Sequence, residues 1–202
     1  MFEGLFRKLD PVLYIQIWEE RIKVTDIRTG ELFDEAPLLA IEINKDGLKV
    51  VSAVGDDAKL INERDSIEVI SPFSHPRCLL NDFHVAERIL QHIFGQILGK
   101  RFIAPTPKVV VHPMEKNEGG LTVIEQKAFR EMALGAGARE VLIYQGAELI
   151  PSPATFDFEQ IKKESEAKLS YPFESKTKKE SPMAWFLLAV TLCSALFFVL
   201  HH

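Results

Sequence analysis

Apolar and polar positions along this chain sort into a short series of elements. Val12–Ile17 and Arg21–Ile27 are strand-like runs on either side of a tight connection through Trp18, Glu19 and Glu20. Thr29-Gly30 makes a turn, and Leu38–Ile43 and Leu48–Val54 flank Lys45-Asp46-Gly47, a hairpin signal. From Asn81 a helix begins: Ala86, Ile89, Leu90, Ile93, Phe94, Ile97 and Leu98 fall on one face, and Gly99 offers a C-terminal cap. Val109–Val111 is a short strand of the buried type. Thr122-Val-Ile-Glu125 has the spacing of a capping box and opens a second helix with Ile124, Ala128, Phe129 and Met132 inward. That helix ends in Gly135-Ala-Gly137, ahead of a last strand, Val141–Tyr144. Strands first, then strand–helix–strand, predict an α/β sheet of three antiparallel strands followed by parallel ones.

Two apolar stretches lie outside this alternation. Met183–Leu200 is eighteen residues without a charge, followed only by His201 and His202. As a helix it spans about 27 Å, close to the hydrocarbon thickness of a bilayer. Ser181 and Pro182 read as its N-cap and first residue, and Trp185 sits where an interfacial anchor belongs. A buried core helix is the competing reading, and the even apolarity of the run counts against it. The expectation is a transmembrane helix over residues 182–200, with Trp185, Phe186, Leu187, Leu188, Phe197 and Phe198 in the membrane. Lys176, Lys178 and Lys179 precede the span and no Lys or Arg follows it, which by the positive-inside tendency leaves the N-terminal body in the cytoplasm. Met1–Asp10 lacks the continuous apolar region of a signal peptide, so the chain reads as single-pass and tail-anchored.

The other stretch is residues 1–10. Phe2, Leu5, Phe6 and Leu9 form an i, i+3, i+4, i+7 stripe with Arg7 and Lys8 off that face. Such a segment can lie in a membrane interface or dock on its own domain. Between body and anchor, Pro151, Pro153 and Pro172 bracket a Glu/Lys-rich stretch. Residues 151–181 accordingly read as a solvated, disordered tether with a helical turn or two around Phe158–Leu169.

The 202 residues thus hold one soluble domain, a tether and an anchor, and at 47% apolar and 26% charged the domain can build a core. A net charge of −5 and a pI near 5.7 argue against nucleic acid as the main partner, because phosphate binding needs a concentrated basic face. Cys78 in the body and Cys193 in the anchor cannot easily meet, so no disulfide is expected, in keeping with a reducing cytoplasm.

Specific residues then point to a family. Val54-Gly55-Asp56-Asp57-Ala58-Lys59, Leu80-Asn-Asp82-Phe83, Ile89-Leu-Gln91-His92, Pro105-Thr-Pro107-Lys-Val109 and Ala136-Gly-Ala-Arg139-Glu140-Val141 occur in order and at matching spacing. Together they resemble the N-terminal half of MreB, the bacterial actin that organises rod-shaped growth, over roughly residues 1–150. The resemblance implies an actin-like ATPase fold, of which this chain holds the first of two ribonuclease H-like domains. Residues 11–150 would be that domain, with Leu48–His84 as a small subdomain inserted between its third and fourth strands.

The departures from the family are as informative as the matches. Its first hairpin carries Asp-x-Gly-Thr-x-x-Thr, whose glycine and hydroxyls let the backbone wrap a phosphate. The aligned run here is Gln16-Ile17-Trp18-Glu19-Glu20-Arg21-Ile22. Gln16 replaces the metal-facing aspartate, Trp18 replaces the glycine, and Glu19 and Glu20 would repel a phosphate. The second phosphate loop and the adenosine pocket belong to the second domain; in their place come Gln145-Gly146 and the proline-rich stretch. Glu125 falls where the family has the glutamate that orients the hydrolytic water, but its place in a capping box with Thr122 accounts for it without catalysis.

Other chemistry is thin. His75, His84, His92 and His112 show no recognised ligand spacing, so no metal is expected. Gly119-Gly120 ahead of a helix lacks the Lys and Ser/Thr of a Walker motif and reads as a turn in a segment, Glu115–Gly120, that looks inserted relative to the family. Cys78 has no His–Asp partner to make it a nucleophile. The sequence therefore predicts a non-enzymatic relative of MreB, without cofactor or small-molecule substrate, anchored at the bacterial inner membrane. Its expected partners are the lipid bilayer and an MreB-type filament or cell-shape membrane proteins. The rival expectation is a divergent ATPase subunit whose second domain comes from another chain.

Overall fold

The computed structural model describes residues 11–61, 67–99 and 106–168. The chain divides into two units, Met1–Lys168 and Leu169–His202, and all described residues lie in the first. Its frame is a five-stranded sheet in the order β3-β2-β1-β7-β8, with β1 Val12–Ile17, β2 Ile22–Asp26, β3 Leu32–Glu35, β7 Lys108–Pro113 and β8 Glu140–Ile143. β1 pairs antiparallel with β2, and β2 with β3, while β1–β7 and β7–β8 are parallel. This is the mixed sheet that the sequence predicts.

The third strand is not the predicted one. Leu38–Ile43 does not extend the main sheet; β4, Leu39–Ile43, is the centre of a separate three-stranded antiparallel sheet with β5, Lys49–Val54, and β6, Ile67–Ile70. The third strand of the main sheet is the short edge run Leu32-Phe33-Asp34-Glu35, of which only Phe33 is buried. One inward residue leaves almost no apolar alternation to read. Pro37, which cannot donate to a ladder, marks the point where the chain leaves one sheet for the other. The inserted subdomain therefore begins near residue 39 rather than 48.

A local lock joins the two sheets. Gly55 has φ of 75°, and a Cβ there would collide with the Glu35 carboxylate. That carboxylate accepts from Asp56 N at 2.9 Å, while Asp56 Oδ1 accepts from Ala36 N at 3.2 Å. The Val54-Gly55-Asp56 signature thus fastens the end of β5 and the start of the short helix α1, Asp56–Lys59, to the rim of the main sheet.

One face of the main sheet is covered by α2, Phe83–Leu98, and α3, Val123–Gly135. The α2 stripe Ala86, Ile89, Leu90, Ile93, Phe94 and Ile97 is buried against Leu13, Ile15, Ile17, Val109 and Val111. Asp82 caps the helix by accepting from Val85 N at 3.0 Å, and Gly99 closes it. On α3, Phe129 and Met132 point inward as the spacing requires, joined by Ala133; Ile124 instead stands 81% exposed in the first turn, and Ala128 is half-buried.

The opposite face is covered by chain that the sequence assigns to a tether. Residues 151–168 are not a disordered start of that tether, since they lead into α4, Phe158–Lys168. Phe158 and Ile161 are buried with Tyr14, Ile27, Val110, Leu142 and Tyr144, while Leu149 and Phe156 pack at the edge of the cluster. A ring of charges fixes the helix. Lys162 reaches Glu140 at 2.7 Å, Lys108 reaches Glu140 at 3.1 Å and Glu159 at 2.9 Å, and Lys108 lies 4.5 Å over the Phe158 ring. Those hydrogen bonds, from Lys162 above all, hold the Glu140 carboxyl below its ordinary range.

If α4 belongs to the cooperative fold, Ile161→Ala should cost about 2–5 kcal/mol, whereas Ala at the exposed Lys163 should stay within about 0.5 kcal/mol. Urea denaturation of the full chain followed by circular dichroism reads the difference. Equal midpoints for the two variants would place α4 outside the folded unit.

Candidate functional site

In open α/β sheets, ligands collect beyond the carboxyl ends of the strands where the connections change direction. Here that point lies between β1 and β7. The chain leaves β1 toward β2 on one side and leaves β7 toward β8 on the other. Three segments converge there: the turn after β1 (Trp18–Arg21), the loop after β7 (Met114–Gly120) and the run after β8 (Gln145–Leu149).

The turn is closed by Trp18 N donating to Arg21 O at 2.8 Å. Arg21 forks onto Asp34 of β3, with both contacts at 2.6 Å, and its guanidinium lies 5.1 Å over the Trp18 ring. The fork holds the Asp34 carboxyl below the usual carboxylate range. Trp18 is therefore a half-buried indole clamped by an arginine.

The backbone amide of Glu19 already has an anion. It donates to Glu115 Oε2 at 2.7 Å. Lys116 next to it pairs with the Glu19 carboxylate at 2.7 Å and donates to His75 O at 2.6 Å. Lys116 has φ of 53°, a left-handed backbone rarely held by a non-glycine residue unless its surroundings fix it. Its two ammonium contacts do so. The Glu115–Gly120 loop thus places a carboxylate on a donor of the turn and ties itself down with the adjacent lysine.

Gln16 is fully buried, and its Nε2 donates to Glu148 Oε1 at 2.7 Å. Its Oε1 has no hydrogen-bond partner among the described residues. Beside it, Tyr14 and His112 form a buried pair with Tyr14 Oη 2.7 Å from His112 Nδ1. Leu149 N donates to the same hydroxyl at 3.3 Å, which leaves the Tyr14 proton for the imidazole. Burial pushes the Tyr14 phenol up to about 12. It pushes the His112 imidazole below its ordinary value, against the opposing pull of a hydrogen bond to the Gly146 backbone and the charge of Glu148.

The remaining sequence candidates fall elsewhere. Glu125 is engaged in the capping box: its Oε2 accepts from Thr122 N at 2.8 Å and from Thr122 Oγ1 at 2.6 Å, and Thr122 Oγ1 accepts from Glu125 N at 3.2 Å. Gly119 and Gly120 form a left-handed turn, and Leu121 N after it donates to the Gln145 side chain at 2.7 Å. His75 approaches Cys78 at 3.5 Å, His84 packs edge-on against Phe83, and His112 pairs with Tyr14. No group of three or more His, Cys, Asp or Glu among the described residues could hold a metal ion. Phe2, Leu5, Phe6 and Leu9, and the 182–200 span with Trp185, Phe186, Leu187, Leu188, Phe197 and Phe198, lie outside the described residues. Among the described residues no helix is long and apolar enough to cross a membrane. Sequence reasoning passed over Tyr14, Glu115, Lys116 and Glu148. Tyr14 and Gln16 are polar-tipped residues on one parity of a fully buried strand, which is a readable signal. Glu115 and Glu148 sit in loops without periodicity and give none.

Residues 21–150 match the family model for MreB/Mbl protein. The chain is 38% identical over 136 residues to the cell shape-determining protein MreB of Pasteurella multocida, an alignment covering 62% of this chain and 37% of that protein. It is 37% identical over 137 residues to the cell shape-determining protein MreB of Escherichia coli K12, covering 62% and 38%. The chain thus spans well under half the length of the curated relatives it matches. Among solved structures its fold is similar to that of MreB5 of Spiroplasma citri bound to AMPPNP, with a TM-score of 0.54 and 20% identity over 67% of this chain and 38% of that one.

The neutral, buried His112 has a pH consequence. Its folded-state pKa is depressed, so the folded state binds this proton less readily than the unfolded chain does. Stability is then full above the imidazole's ordinary pKa of about 6.5 and falls as the pH drops below it. Urea midpoints between pH 8 and 5 should decline in the native chain and decline less in His112→Gln. An identical slope in the variant would remove His112 from the account.

Proposed function

This chain belongs to the MreB/Mbl family, and we propose that it acts as a non-enzymatic, nucleotide-binding-deficient accessory of the cell-shape cytoskeleton, held at the cytoplasmic face of the bacterial inner membrane. The observation that carries this reading is the internal anion at the turn. A phosphate approaching between β1 and β7 would meet the Glu115 carboxylate on the Glu19 amide, the Glu19 and Glu20 side chains, and Glu148 on Gln16. Two like charges about 4 Å apart repel by about 4 kcal/mol at the effective dielectric near a protein surface. Two nearby cations are already held, Lys116 by Glu19 and the His75 carbonyl and Arg21 by Asp34.

The partner suggested by the family is a full-length MreB-type filament. The uncharged run Met183–Leu200 supplies the membrane attachment. A filament can hold a membrane weakly because many protomers share the load. A protein that does not polymerise lacks that avidity, and a spanning helix substitutes for it.

Titration of the full chain with magnesium-ATP should show no binding up to millimolar nucleotide. Micromolar affinity, alone or with a partner that completes the fold, would favour the divergent ATPase instead. A second expectation concerns address: deletion of residues 182–202 should move the protein to the soluble fraction. Persistent membrane association of the deleted chain would make Met1–Asp10 the dominant anchor.

A further inference from the structure

The small sheet has a free side. β5 is an edge strand among the described residues, paired with β4 and with no strand beyond it. Such a strand offers a row of backbone N–H and C=O groups to any extended chain that comes alongside. In and beside it, Ile43, Leu48, Val50 and Val51 stand 46% to 63% exposed. A groove of about 430 Å³ lies between the β4–β5 hairpin and the first turns of α2. Its lining combines apolar groups, Ile41, Val51 and Val85 among them, with two cations, Lys49 and Arg88, and among the described residues it holds no carboxylate. Arg88 Nη1 donates to Gln91 Oε1 at 3.2 Å, but neither cation has an ion-pair partner among the described residues.

We propose that this edge and groove take an extended segment of a partner protein, added beside β5 as a further strand of the small sheet, with acidic and apolar side chains alternating on its groove-facing side. Three features select that occupant. First, the open backbone edge is satisfied by a strand and not by a helix. Second, Lys49 and Val51 are two residues apart and so lie on one face of β5, where the register sets them opposite Ile43 and Ile41 of β4. A strand on the other side of β5 then meets Lys49 with a carboxylate and Val51 with an apolar side chain, from positions two apart on its own groove face. Third, the charge of the groove excludes a second copy. A two-fold contact would bring Lys49 and Arg88 of both chains to one groove with no acid to meet them. A lysine on an edge strand guards it against stray pairing. Because the guard is a positive charge, an acidic strand passes it. None of these residues belongs to the turn after β1, and the contact is independent of whether that turn binds nucleotide.

The test titrates the full chain, in mild detergent, into the fluorescein-labelled peptide Ser-Val-Thr-Glu-Thr-Val-Thr-Glu-Ser, whose Val and Glu side chains share one face of a strand, and reads fluorescence anisotropy. Binding should saturate, and the analogue with Lys in place of both Glu should bind at least about tenfold more weakly. The double substitution Lys49→Glu and Arg88→Glu, at two exposed positions, should reverse that order, weakening the acidic peptide and strengthening the basic one. A reversal cannot come from a misfolded variant. N-methylation then reads the backbone: only every second N–H of an added strand faces β5, so methylating one alternate set of peptide amides should abolish binding and methylating the other should leave it within about twofold. Absence of saturation, equal affinity for the two peptides, an order unchanged by the double substitution, or equal effects of the two methylated sets would each overturn the proposal.

Discussion

Everything else in this domain follows from a sheet that is apolar on both faces. In β1 the residues from Leu13 to Ile17 are all fully buried, and in β7 the same holds for Val109, Val110 and Val111. Odd positions face one way and even positions the other, so neither face can be left to water. One face has α2 and α3. Among the described residues the other has only the chain after β8, and this is why residues 146–165 cannot behave as a solvated linker. Burying a Phe or Ile side chain contributes about 1.5–3 kcal/mol, and Phe158 and Ile161 contribute on that face. The unfavourable charge composition of α4, which suggests a tether, is met by pairing: Lys108, Lys162, Glu140 and Glu159 form a connected set across the strand ends.

Much of the fold was legible where local pattern and tertiary role agree. The stripe of α2, the capping box of α3 and the parallel β7 and β8 could be placed because periodicity and burial tell the same story. Failures occurred where they part. Leu32–Glu35 is an edge strand with one buried side chain, so its pairing with β2 leaves no trace in hydropathy. Leu39–Ile43 reads as a strand equally well in either sheet, and only Pro37 and the Gly55–Glu35 lock decide which one it joins. Ile124 matches the inward spacing but lies in the first turn of α3 and stands exposed.

The candidate site was legible as an alteration and not as an arrangement. Gln16, Trp18, Glu19 and Glu20 stand out against the family pattern in the sequence itself. What they do required the fold, because their partners come from distant segments: Glu148 lies 132 residues from Gln16, and Glu115 lies 96 from Glu19. Both partners are carboxylates, so the Glu19 amide of the turn and the Gln16 amide of the strand are each met by a negative side chain of the same molecule. A carboxylate of the same molecule satisfies such a donor as an external anion would.

The same segment that covers the second face also supplies Glu148 and, one residue later, the Leu149 amide that donates to Tyr14. Core closure and site chemistry are therefore coupled. Freeing Gln16 to face a ligand means moving Glu148. Moving Glu148 pulls on the Leu149–Tyr14 contact and, through it, on the buried Tyr14–His112 pair, whose hydroxyl and imidazole would lose partners in a low-dielectric interior. A ligand or second domain that claimed this site would have to offset that loss as well as the repulsion of four carboxylates. A partner that binds elsewhere on the domain bears neither cost. That asymmetry favours a protein that is read by its surface over one that is completed at its switch point.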